Sequence, residues 1–89
     1  MARYEVHSEE LAGFGESQMS AEILFQMGLD SACGRNGFTD LVTAHKWFNI
    51  AALKGNKAAV QYRKEISDEM TREEIAEAQR SAREWLSMH

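Results

Sequence analysis

Eighty-nine residues with a formal net charge of −4 are enough for one small domain and too few for two. Proline is absent and cysteine occurs once, at Cys33, which excludes an internal disulfide and fits a reducing, cytoplasmic compartment. The opening run Met1-Ala-Arg-Tyr-Glu-Val-His has no apolar signal core, and no apolar run reaches membrane-spanning length, so a chain without a transmembrane segment is expected.

Residues 1–19 form a segment of their own. Ser8 followed by Glu9 and Glu10 suits one or two helical turns, which Gly13 and Gly15 would end. Tyr4, Val6, Leu11 and Phe14 are more apolar than a purely disordered tail needs. They suit either packing on the following domain or docking into a partner groove.

The domain proper is expected over 20–89, helical throughout and rich in Ala, Glu, Met and Leu. Its first helix runs from an N-cap at Ser20 to near Cys33. Ile23, Leu24, Met27 and Ser31 supply the buried stripe, and Cys33 acts as a small apolar filler. Gly28 lies inside this helix, where glycine costs about 1 kcal/mol relative to alanine and so implies a close contact. The loop Gly34-Arg35-Asn36-Gly37 offers left-handed backbone to close the helix.

Asp40 caps a second helix that reaches Leu53 and stops at Gly55. Leu41, Ala44, Phe48, Ala51 and Ala52 make its inner stripe, with Trp47 at the margin. His45 and Asn49, four residues apart, share a face that is expected to lie on the surface. A third helix from Lys57 carries Ala59, Val60, Tyr62, Arg63 and Ile66. Thr71-Arg72-Glu73-Glu74 is a capping box, Thr71 pairing with Glu74, and opens a last helix to about Met88. Ile75, Ala78, Ala82, Trp85 and Leu86 line one side of it, and Glu73, Glu77, Arg80, Arg83 and Glu84 make the other side polar. Ala82-x-x-Trp85 repeats Ala44-x-x-Trp47 at a shift of 38 residues. The fold expected is all-α, with two antiparallel helical hairpins.

The stretch from Ala21 to Gly55 resembles the Sel-one-like repeat, a tetratricopeptide-like helix-turn-helix unit. Ala21, Met27-Gly28, Gly34, Asp40, Ala44, Lys46-Trp47-Phe48, Ala51-Ala52 and Gly55-Asn56 fall in register with that family's pattern. Ser31 stands where the family has tyrosine, and the loop glycines are spaced Gly34-x-x-Gly37 instead of G-x-G. The resemblance implies a short α-α superhelix, with Trp47 in its core, acting as an adaptor or assembly scaffold. Solenoids of this kind need about three stacked units, and this chain has two at most, which leaves room for self-association or for a capping partner.

Charge is uneven along the chain. Between Arg35 and Lys64 stand six basic residues against Asp40 alone, flanked by Glu5, Glu9, Glu10 and Glu16 before and seven carboxylates from Glu65 to Glu84 after. This pattern suits solvated, mutually attracting helix faces, or a basic patch for an acidic partner. Overall acidity without an arginine–aromatic stripe speaks against nucleic acid. No motif for catalysis, cofactor or metal binding stands out: His7, His45, His89 and Cys33 have no ligand spacing, and the glycine loop lacks the Lys-Ser/Thr of a phosphate loop. The function expected is a non-catalytic protein–protein interaction module. A stable accessory subunit of a larger, membrane-associated or soluble complex is the alternative. Partner contact is expected at His45, Lys46, Asn49 and Lys54, with the N-terminal Tyr4, Leu11 and Phe14 as the competing element.

Overall fold

The computed structural model describes residues 19–35 and 37–88. Four helices make up the described chain: α1 (Ala21–Cys33), α2 (Leu41–Leu53), α3 (Lys57–Ser67) and α4 (Arg72–Met88). No strand occurs among the described residues, so the all-α architecture read from the sequence holds. The reading of Tyr4, Leu11 and Phe14 lies outside the described residues. Met19, assigned from sequence to the N-terminal segment, is half-buried against the core.

Local chemistry sets the helix ends. Ser20 stands in extended backbone and its hydroxyl accepts the Ile23 N–H at 3.2 Å. Asp40 accepts the Thr43 N–H at 3.0 Å with one carboxylate oxygen and the Thr43 hydroxyl at 2.8 Å with the other. Asn56 caps α3, accepting the Ala59 N–H at 2.9 Å. In the capping box the Thr71 N–H donates to Glu74 Oε1 at 2.9 Å and the Glu74 N–H to Thr71 Oγ1 at 3.1 Å. Each arrangement satisfies backbone donors that the first helical turn leaves free.

Gly34 closes α1 in left-handed backbone at φ 75°, and its N–H returns to the Asp30 carbonyl. The Asp40 N–H then donates to the Ser31 carbonyl at 2.9 Å, tying the start of α2 back to the end of α1. That bond turns the chain through a hairpin. At the other end of α2, Gly55 takes φ 105°, which lets α3 begin only two residues later, at Lys57.

Helix α2 lies between the others and packs on α1, α3 and α4, whereas α3 and α4 touch one another sparsely. The second pair of helices is therefore held together mainly through α2. A helix covered from three sides must be buried over a wide arc. Ala44, His45, Phe48, Ile50 and Ala51 are all buried. The predicted stripe held for Ala44, Phe48 and Ala51, while Leu41, Trp47 and Ala52 are half-buried at its edge. Ile50 and His45 lie outside that stripe and are buried as well, because a helix with three neighbours is covered beyond a single amphipathic face.

Gly28 has the close contact its position implied. An added Cβ would sit 2.5 Å from Phe48 Cε1 and 2.6 Å from Cδ1, so the Phe48 ring lies directly on the glycine. The contact is a glycine under an aromatic ring. Phe48 also joins a three-ring cluster, with centroids 5.7 Å from Phe25 and 5.6 Å from Tyr62, while Phe25 and Tyr62 stand 5.4 Å apart. This cluster ties α1, α2 and α3 together. On the opposite side Trp47 and Trp85 meet edge to face, 5.7 Å apart at 87°, so the two Ala-x-x-Trp segments are spatial partners.

Three expectations about individual side chains are corrected. Ile23 is 51% exposed, since Leu24 and Gly28 carry the α1 contact and Phe25 takes the flank. Cys33 is exposed at the C-terminal end of α1 and fills no core space. Val60 is 45% exposed, on a helix whose buried residues are Ala59 and Ile66.

Candidate interaction surface

The face expected to carry His45 and Asn49, with Lys46 and Lys54 nearby, is not presented to solvent as a unit. His45 is 3% exposed and points under α3, where its Nε2 lies 3.0 Å from the Ser67 hydroxyl. The expectation of a surface histidine is overturned: α3 covers the side of α2 that carries it. Asn49, one turn on, is half-buried and accepts a 2.6 Å hydrogen bond from the Arg63 guanidinium. Lys46 turns away from both, its ammonium 4.4 Å from the centroid of the Trp47 ring. Lys54 follows the last turn of α2, exposed to solvent. Of the four, Lys54 is the one freely presented.

A different grouping emerges at the α2–α3 corner. Leu53 is 67% exposed, and Lys54, Lys57 and Val60 follow it as exposed residues across the turn and the first turn of α3. Gly55 and the Asn56 cap hold this corner tightly, so two apolar side chains and two ammonium groups project from a short, well-anchored stretch. The sequence signal for it is the basic run that includes Lys54; the placing of Lys57 beside it and the exposure of Leu53 depend on where the helices end. A second exposed apolar residue, Phe38 at 71%, lies in the α1–α2 loop at the other end of the hairpin. Near it Arg35 pairs with Asp30 at 3.1 Å, a mostly solvated contact of little energetic weight.

The other residues named from sequence have structural places. Gly34, Asp40, Gly55, Thr71 and Glu74 form the turns and caps, Gly37 takes φ 112° in the loop, and Ala44, Ala51 and Trp85 are core. Among the described residues there is no group of three or more metal-ligating side chains, no pocket, and no helix long and apolar enough to cross a membrane.

The His45 environment is the most polar part of the interior. Ser67 donates its hydroxyl to the Arg63 carbonyl at 2.8 Å, so toward His45 it acts as acceptor and the ring carries its proton on Nε2. Nδ1 is then an acceptor, buried and without a hydrogen-bond partner among the described residues. Burial, and next the nearby Arg63 guanidinium, hold the histidine pKa below the ordinary 6.5.

No protein family, no curated protein and no solved structure matches this chain.

Proposed function

We propose that the chain is a small protein–protein interaction module whose α2–α3 corner contacts an acidic, partly apolar segment of another protein. The observation that carries this reading is the joint exposure of Leu53 and Val60 with Lys54 and Lys57 on one anchored turn. Apolar side chains supply contact area, and the ammonium groups select a carboxylate-bearing partner and speed its approach. The Sel-one-like resemblance of residues 21–55 supports the same reading, as units of that type form adaptors and scaffolds. Self-association through the same corner is disfavoured, because a symmetric contact would bring the lysines of two copies together.

A contact of this kind is partly electrostatic and weakens as salt screens it, the Debye length falling from about 10 Å at 0.1 M to about 3 Å at 1 M. The test is capture of the partner by the tagged chain during washes of rising ionic strength. The parent is compared with Lys54→Glu/Lys57→Glu and with a chain lacking residues 1–18. Loss of capture in the charge reversal, with the truncated chain still active, is the expected result. Loss in the truncated chain alone transfers the binding element to Tyr4, Leu11 and Phe14. Capture in fixed ratio that withstands high salt identifies the chain as a permanent subunit instead of an exchanging adaptor.

A further inference from the structure

One buried ionisable group takes no part in that surface. His45 is enclosed between α2 and α3, linked through Nε2 to Ser67, and Ser67 is linked in turn to the Arg63 carbonyl one helical turn earlier. Arg63 reaches back to Asn49 on α2. Two polar links therefore cross the α2–α3 contact, and His45 is the titratable member. We propose that His45 is an acid-sensitive latch that holds α3 on α2 when neutral and releases it on protonation.

The geometry gives the reason. In the neutral ring Nε2–H is satisfied by Ser67, and only an acceptor lone pair, on Nδ1, is unmatched. Protonation converts Nδ1 into a donor in the same enclosed place, where the described residues offer it no acceptor, and creates a cation inside the protein. The groups facing the ring from α3 are Ser67 and the Arg63 guanidinium, whose charge opposes a second positive charge. On α2 itself the neighbouring polar group is Asn49, already engaged by Arg63. Arg63 is the one charged group of the described residues that bears on the ring, and no described carboxylate forms an ion pair with His45 that could stabilise imidazolium. The low cost route is for α3, which rests on α2 and touches α4 sparsely, to open and hydrate the ring. Opening α3 also separates Val60 and Lys57 from Leu53 and Lys54, so the latch controls the geometry of the α2–α3 corner. That consequence rests on the function proposed above, whereas the latch itself does not.

Amide hydrogen exchange across pH 7.5 to 5.0, corrected for intrinsic rates, tests it in the full chain. Protection of α3 amides is expected to fall relative to α1, by up to about tenfold per pH unit below about 6.5. His45→Gln, which keeps a donor for Ser67 but cannot titrate, is expected to flatten that dependence. Ser67→Ala, which leaves the ring in place, is expected to lower α3 protection at pH 7.5 about fivefold or more. A ring that titrates near 6.5 with α3 protection unchanged overturns the latch, as does an identical pH dependence in His45→Gln. If His45→Gln fails to fold, Ser67→Ala decides: unchanged α3 protection at pH 7.5 overturns the proposal. Partner capture is not a readout here, so failure of the latch and failure of the interaction surface are distinguishable.

Discussion

At the scale of single residues, Gly28 and His45 carry the largest consequences. Gly28 lies beneath the ring of the fully buried Phe48, which is held on its other sides by Phe25 and Tyr62 and has little room to yield. Gly28→Ala gains about 1 kcal/mol of helix propensity but meets that ring at 2.5 Å, and overpacking of this kind costs about 1–3 kcal/mol. A net loss is expected, larger for Gly28→Leu. In a Phe48→Leu background, where the ring is gone, Gly28→Ala should become neutral or stabilising; denaturant midpoints of the four chains measure this coupling. For His45 the folded pKa is lowered from 6.5, so as pH falls the unfolded chain takes up its proton first. Stability is thus fully present above about pH 6.5 and declines as pH drops through that value toward the folded pKa. The urea midpoint should fall between pH 7.5 and 5.5 in the parent and change less in His45→Gln. An equal fall in both would place the acid sensitivity elsewhere.

At the scale of elements, the helix ends were legible in the sequence and the α2 surroundings were not. Ser20, Asp40 and Thr71 with Glu74 act on donors three residues away, so their chemistry is local and readable from spacing. Thr71→Ala should lower stability by about 1 kcal/mol, read as a shift of the denaturant midpoint with unchanged slope. The inward turn of His45 and the burial of Ile50 arise because three helices surround α2, a fact of tertiary arrangement that a one-sided stripe does not announce. The same holds for the candidate surface: a basic run marked the region, but only the path of the chain buries His45, lays Lys46 on Trp47 and leaves Lys54 and Lys57 outside. The recurrence of Ala-x-x-Trp marked the two helices as similar, and the fold brings their tryptophans together, Trp47 meeting Trp85 edge to face. Trp85→Ala should cost about 3–5 kcal/mol and loosen α4 from α2. Trp47 fluorescence should then shift to the red; an unshifted spectrum would contradict the contact.

At the scale of the whole molecule, a short helical array with α2 at its centre presents surfaces of different character. Helix α4 turns Glu73, Glu77, Arg80, Arg83 and Glu84 to solvent, a mixed and well-hydrated face. The α2–α3 corner combines exposed Leu53 and Val60 with Lys54 and Lys57 in a chain whose net charge is −4. This contrast underlies the claim that the corner, and not the outer side of α4, meets another protein. The most direct measurement is site-specific photo-crosslinking in cells, with the photoreactive residue at position 57 in one chain and at position 77 in another. A discrete adduct from position 57 that diminishes with Lys54→Glu, and none from position 77, is the result predicted. Adducts from position 77 alone, or adducts from position 57 unaffected by Lys54→Glu, would contradict it.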